Sequence, residues 1–141
     1  MSRWQKIVDL IIDSTDTAGD YCCKQTLQTL LKKGLIQENE KFNIDLVLRE
    51  SINNAILHGN RTDIRKKVIL KVFHNSHYIK ITIQDQGLGF DWHSREIVEL
   101  SDSETHGRGL FIIKLYSDKY YYNSKGNKLT LFKKIGEVYD G

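Results

Sequence analysis

Three short stretches of the 141-residue sequence gather side chains able to do chemistry. The first is Leu48-Arg49-Glu50-Ser51-Ile52-Asn53-Asn54-Ala55-Ile56-Leu57-His58-Gly59, in which Glu50 and Asn54 stand four residues apart. On a helix that spacing puts both on one face, one turn apart. A carboxylate there can accept a proton from a nucleophile, and an amide oxygen beside it can complete an Mg²⁺ shell shared with phosphates and water. Taken alone, such a pair is more often a solvated helix face. The second stretch is Asp85-Gln86-Gly87-Leu88-Gly89. Its two glycines permit close backbone approach to a flat ligand, and Asp85 offers a carboxylate to the amino group of a base. By itself it is also what a glycine turn closed by an Asx-type bond looks like. The third is His106-Gly107-Arg108-Gly109-Leu110. Backbone N–H groups at a helix start, unobstructed by Cβ atoms, suit phosphate oxygens, and Arg108 or His106 can add charge. The glycine spacing matches neither a dinucleotide-binding G-x-G-x-x-G opening the first βα unit nor a P-loop.

These stretches need elements to hold them, and the hydrophobic pattern supplies them. Trp4 to Asp13 is rich in β-branched and aliphatic residues and stops at the turn-prone Ser14 to Asp16, which predicts a first strand. From about Thr17, Tyr21, Leu27, Leu30 and Leu31 fall on one helical face, with Gly34 as the stop. Asn43 can cap a second helix whose apolar residues Leu46, Val47, Ile52, Ala55 and Ile56 recur near the helical period up to His58-Gly59-Asn60. Lys67 to Phe73 and Tyr78 to Gln84 read as an antiparallel hairpin, the second strand alternating Ile79, Ile81, Ile83 with Lys80, Thr82, Gln84. Phe90 to Thr105 is polar and long enough to act as a lid, with one short helix around Glu96 to Leu100. A last helix opens at Gly107 to Gly109 and runs through Leu110, Ile113 and Leu115, followed by strands near Lys119 to Asn123 and Lys128 to Lys134 around a Ser124–Asn127 turn. About five strands and three main helices, with strands mostly consecutive, predict an α+β two-layer sandwich with a mixed, mostly antiparallel sheet and helices on one face.

Composition narrows the function classes. A chain of this length with 40% hydrophobic and 28% charged residues reads as a single domain over residues 1–141, able to bury a core without staples. Adjacent Cys22 and Cys23 suit neither a bridge between distant elements nor a C-x-x-C motif, so buried structural thiols are expected. No apolar run is long enough for a membrane span and the N-terminus lacks a signal peptide's apolar core, so the expected address is cytoplasmic. The excess of Lys plus Arg over Asp plus Glu is 21 − 18 = +3, with basic residues clustered only at Arg61 to Lys67, which argues against direct nucleic-acid binding. His58 at a helix end suits a cap, the remaining histidines have no zinc-ligand spacing, and the consecutive Tyr120, Tyr121 and Tyr122 must alternate faces of a strand.

In order, the E-x-x-x-N pair on a helix, D-x-G-x-G after a strand and G-x-G before a helix resemble the N box and the two glycine boxes of the GHKL ATPase superfamily, which includes gyrase and the histidine kinases and shares the Bergerat, or histidine kinase-like ATPase, fold. Glu50 to Asn60 and Gly107 to Ile113 look most like the small bacterial anti-sigma factor serine/threonine kinases, and the resemblance runs from the first strand to Lys134. It implies ATP and Mg²⁺ as cofactors, with Asn54 as metal ligand, Glu50 as general base and Asp85 on the adenine amino group. It further implies that Gly87, Gly89, Gly107 and Gly109, with Thr105, His106, Arg108 and Leu110, surround the base and phosphates. Activity would then be transfer of the γ-phosphoryl to a serine of an anti-anti-sigma (STAS-type) protein, with a sigma factor as second partner and a homodimer as the usual assembly.

Two departures stand out. Kinases of this type often carry an arginine just before the third box, where this chain has Ser103-Glu104-Thr105-His106, with Thr105 at that position. The family's late Gly-Thr turn is replaced by Gly126-Asn127-Lys128, with Thr130 two residues on. Because phosphoryl transfer depends mostly on positioning and charge neutralisation, the missing arginine keeps open a second function: an ATP-gated protein-interaction switch with little or no kinase activity. A histidine kinase is a poorer fit, since no histidine precedes Glu50.

Overall fold

The computed structural model describes residues 3–89 and 105–136, with 105–109 described as backbone only. Among the described residues five strands form one sheet: β1 (Gln5–Asp13), β2 (Lys67–His74), β3 (Tyr78–Gln84), β4 (Lys119–Tyr122) and β5 (Lys128–Lys134), in the spatial order β1-β2-β3-β5-β4. All four pairings are antiparallel, the pure case of the mostly antiparallel sheet expected. Three helices, α1 (Asp16–Lys32), α2 (Lys41–Asn53) and α3 (Thr105–Tyr116), pack together, α2 lying between the other two and α1 reaching β1. The expected helix around Glu96 to Leu100 and the lid lie outside the described residues. None of the described helices is long and apolar enough to cross a membrane.

The period-two pattern decides which sheet face is covered. Val68, Leu70 and Val72 of β2 and Ile79, Ile81 and Ile83 of β3 are buried, each within 3% of complete exclusion, and meet Leu30, Leu48, Ile52, Ile56 and Ile113 from the helices. Truncating one such residue to alanine costs about 2–5 kcal/mol, because the lost burial is joined by a cavity the neighbours cannot fill. The β2–β3 turn is closed by Asn75, whose Oδ1 accepts from the N–H of His77 (2.9 Å) and Tyr78 (2.8 Å).

Helix boundaries and faces differ in part from expectation. Thr15 caps α1 through its hydroxyl, which accepts from Ala18 N–H at 3.1 Å. The buried face of α1 is Gly19, Cys22, Cys23, Thr26, Leu27 and Leu30, whereas Tyr21 is 54% exposed. Small residues win here because α2 and the turn that ends it come close: a Cβ on Gly19 would stand 3.3 Å from Ile52 Cγ2 and 3.1 Å from Ile56 Cδ1. Both cysteines are buried and unpaired in disulfides, as expected. Asn43 is not the cap of α2, which begins at Lys41 after a short 3₁₀ turn, Glu38–Glu40, closed by a capping box between Gln37 and Glu40. Leu115 is 56% exposed, while Leu110 and Ile113 are buried on α3.

Candidate functional site

Local structure makes the site where α2 ends. The helix gives way to a π-helical turn, Asn54–Gly59, instead of continuing to His58 as an α-helix. Asn54 N–H still bonds to the Glu50 carbonyl, so the two residues keep their one-turn spacing. Beyond it the turn widens, with Asn60 N–H donating to Ala55 O at 2.8 Å and Thr62 N–H to Ile56 O at 2.8 Å. Such single π-turns often occur at functional sites because they displace side chains from the α-helical register.

The displaced turn presses Gly59 against the end of β3. A Cβ on Gly59 would lie 2.2 Å from Oδ2 of Asp85, and one on Gly87 would lie 1.9 Å from the Gly59 carbonyl oxygen. Only hydrogen at both positions permits this approach. Asp85 is 8% exposed; its Oδ1 accepts from Gly87 N–H at 2.8 Å, its N–H donates to Asn127 O at 2.9 Å, and its carbonyl accepts from Asn127 Nδ2 at 3.2 Å. Burial raises its carboxyl pKa above the ordinary value, against the opposing pull of the Gly87 hydrogen bond and of Lys125 and Lys66. On the other wall, Gly89 has φ +86° and lies so close to the β4–β5 turn that a Cβ would stand 1.8 Å from the Lys125 carbonyl.

These contacts enclose a cleft of about 470 Å³, open mouth included, lined by Asn54, Ser51, His58 and Gly59 from the helix side, Ile83, Asp85 and Gly89 from β3 and its loop, and Tyr122, Asn127 and Leu129 from the last hairpin. Asn54, Asp85 and Gly89 therefore share one cavity, with Gly87 built into its floor. Glu50 lies half-buried on α2 one turn before Asn54, is not among the residues lining the cleft, and enters no ion pair among the described residues. Its neighbour Arg49 is engaged, bridging Asp20 of α1 at 2.8 Å and Asp45 at 3.0 Å. Nδ2 of Asn54 is buried without a hydrogen-bond partner among the described residues. A buried amide left unpaired is costly unless a ligand completes it, and rotating the amide exchanges its donor for its acceptor. Thr105, His106, Gly107, Arg108 and Gly109 are helical backbone at the N-terminal end of the described part of α3, so the glycines sit inside the helix. The helix packs on α2 and touches the π-turn, with Leu110 buried. The side chains of Thr105 to Gly109 lie outside the description.

Four residues at the site were not legible as such in the sequence. Asn60 is wholly buried: its Nδ2 donates to Ser14 Oγ (2.9 Å) and to Lys67 O (2.9 Å), while its Oδ1 accepts from Gln86 N–H (2.8 Å). One side chain thus ties the end of β1, the start of β2 and the Asp85–Gly89 loop together. Asn127 braces Asp85 from the turn that stands in place of the family's Gly-Thr pair, and its N–H is itself held by Asn123 Oδ1 at 2.9 Å. Tyr122 faces the cleft while Tyr121 is 42% exposed on the opposite sheet face, the alternation expected of the tyrosine run. Gly59 read only as a helix end, although a glycine followed by asparagine just after a chemically loaded helix is the signal that was available.

A largely apolar cleft with a buried carboxylate held by a backbone N–H, and an amide side chain in the same lining, suits a planar base carrying an amino group. Residues 23–133 match the histidine kinase-like ATPase domain family, and the chain belongs to that family. Within it the chain falls with the anti-sigma factors. It is 30% identical over 103 residues to an anti-sigma F factor of Clostridium perfringens (strain SM101 / Type A), covering 68% of this chain and 74% of that protein. It is 29% identical over 101 residues to the anti-sigma F factor of Anoxybacillus flavithermus, covering 69% of each, and 37% identical over 51 residues to that of Bacillus subtilis (strain 168), covering 36% of this chain and 35% of the relative.

Proposed function

We propose that this single domain binds Mg·ATP in the cleft and acts as an anti-sigma-factor-type protein serine/threonine kinase in the cytoplasm, phosphorylating an anti-anti-sigma (STAS-type) partner in trans and restraining a sigma factor, as a homodimer. The observation that carries the reading is Asp85, its buried carboxylate wedged against Gly59 and its backbone braced by Asn127, at the back of the cleft that also holds Asn54. Asp85 accepts from the adenine amino group, and Gly87 and Gly89 leave room for the base. The unpaired Asn54 amide fits a metal shell that needs one neutral oxygen. Among the described residues no three His, Cys, Asp or Glu side chains gather to hold a cation alone, so phosphate oxygens and water would complete that shell. Mg²⁺, when bound, neutralises charge on the phosphates.

This chain's residues then do the following. Glu50 takes the proton from the partner's serine hydroxyl as its oxygen forms the new bond to the γ-phosphorus and the bond to the β-phosphate oxygen breaks, releasing ADP. The backbone of Thr105 to Gly109, with His106 and Arg108, receives the phosphates at the start of α3, and Leu110 anchors that turn in the core. Labelled ATP and a STAS-type partner test the reading. Wild-type protein transfers label to a partner serine, and Glu50→Gln keeps nucleotide affinity but loses transfer; full transfer by Glu50→Gln rules out the base.

One sequence feature favours a second reading, the absence of an arginine in Ser103-Glu104-Thr105-His106. An ATP-gated interaction switch would bind Mg·ATP with Asn54 and Asp85 yet leave the partner unphosphorylated. Stoichiometric phosphorylation of a partner excludes it.

A further inference from the structure

The sheet face turned away from the helices carries a pattern that the cleft does not use. Read across the strands, one row runs Lys6 of β1, Phe73 of β2, Lys80 of β3, Phe132 of β5 and Lys119 of β4, each directly opposite the next. Cation and ring alternate over the full width of the sheet. Lys80 Nζ lies 4.5 Å from the centroid of Trp4 and 4.6 Å from that of Phe73, and Lys119 Nζ lies 5.9 Å from that of Phe132. Trp4, Tyr78 and Tyr121 surround Phe132 with centroids at 6.1, 6.4 and 6.2 Å.

By register, Lys71, Lys128 and Lys134 share this face, and so do Asp9 and Asp13. The two aspartates are already engaged, Asp9 by Lys6 at 2.7 Å and Asp13 by Lys67. Among the described residues Lys71, Lys80, Lys119, Lys128 and Lys134 enter no ion pair. Burial and the nearby charge of Lys128 both lower the pKa of Lys80, the sign expected of a cation lacking a counter-charge. Among the described residues no helix covers the face, and Trp4 remains 38% and Ile11 68% exposed.

We propose that this face docks an acidic, amphipathic helical segment of a partner protein. Charge complementarity selects that occupant: a second copy would bring together two faces of the same net positive charge, whereas carboxylates would supply the missing counter-charge. Single-stranded nucleic acid fits less well, since the Trp4, Phe73 and Phe132 rings already carry ammonium groups, and Phe132 meets its neighbours at 51°, 86° and 38° instead of offering parallel stacking platforms. Spacing agrees. Strands lie about 4.8 Å apart, so lysines on alternate strands recur at about 10 Å, close to the ~10.5 Å rise of seven helical residues. A helix with acidic residues at that interval and apolar ones between would pair with Lys80 and Lys119 and rest on the rings between them.

The test uses the full chain and a synthetic helical peptide with Glu at every seventh position and Leu between, a matched peptide with Lys in place of Glu, and an oligothymidine, titrated by Trp fluorescence at low salt and at about 0.3 M salt. The acidic peptide should bind in a salt-sensitive way and the Lys peptide should not. Lys119→Glu, at an exposed edge position that leaves the fold intact, and Lys80→Gln should each weaken acidic-peptide binding by about fivefold or more while Mg·ATP affinity is unchanged. Equal binding of both peptides, tighter binding of the oligothymidine, or a Lys119→Glu effect on self-association with none on the peptide would each overturn the proposal. Since the peptide and nucleotide titrations are separate, failure of one reading leaves the other standing.

Discussion

Gly59 and Asp85 are in such close approach that a single added carbon on Gly59 would overlap the carboxylate, at 2.2 Å from Oδ2 and 2.3 Å from Cγ. The carboxylate cannot swing aside cheaply, because Gly87 N–H holds its other oxygen and Asn127 holds its backbone. Gly59→Ala should therefore move the carboxylate and weaken adenine-nucleotide binding by about tenfold or more, with a smaller effect on unfolding midpoint than on affinity. Isothermal titration beside thermal unfolding separates the two. An unchanged dissociation constant in Gly59→Ala would show that the carboxylate's position is irrelevant to binding.

Asn60 is a stability element with a reach into the site. Asn60→Ala removes the partner of the Lys67 carbonyl and the Gln86 N–H and one of the two bonds of Ser14 Oγ, which keeps its bond to Lys66 O, with a loss on the order of 3 kcal/mol expected from unsatisfied buried groups. Urea unfolding with an unchanged m-value reads this as a shift of midpoint.

pH acts on Asp85 with opposite signs in two measurements. Burial raises its folded-state pKa above 3.8, so between 3.8 and that higher value the folded protein binds more protons than the unfolded chain. Its contribution to stability is thus fully present below 3.8 and falls as pH rises through the folded pKa. Under the proposed function base recognition needs the ionised carboxylate, so ATP affinity should fall as pH drops through the same window, beginning at a higher pH than an ordinary aspartate would give. In Asp85→Asn, affinity should be low and flat across that window; a pH profile matching wild type would remove Asp85 from the base site.

Burial pushes the Cys22 thiol up to about 11 and Cys23 up to about 12. At pH 8 in native buffer both should react with a thiol reagent only as fast as the chain opens, and at once in denaturant. Fast native labelling would contradict the packing of α1 on α2.

Much of the framework was readable from the sequence because the strands alternate strictly, as Ile79, Ile81 and Ile83 do against Lys80 and Gln84. Helix faces were less legible where small residues set the packing: Gly19, Cys22 and Cys23 outcompete the larger Tyr21 because α2 approaches too closely for bulk. The start of α2 was missed because its cap residue, Glu40, makes no side-chain cap bond, and the capping box of Gln37 and Glu40 belongs to the 3₁₀ turn before it and lies outside the usual Ser, Thr, Asp or Asn set. Asn54 and Asp85, singled out by type and spacing, do line one cleft, whereas Glu50 is not among its lining residues. The site's scaffold, Gly59 against Asp85 and Asn60 across three segments, depends on contacts up to 46 residues apart in the chain, as between Asn60 and Ser14, and no local pattern reports those.

The central claim is that this cleft takes ATP through Asp85 and Asn54. Calorimetric titration of ATP with and without Mg²⁺ into wild type, Asp85→Asn and Asn54→Ala tests it most directly. The account predicts saturable 1:1 binding to wild type, a loss of about tenfold or more in Asp85→Asn even without the metal, and in Asn54→Ala the loss of the Mg²⁺-dependent part alone. ATP affinity that is unchanged in both variants, with each variant folded, would contradict it.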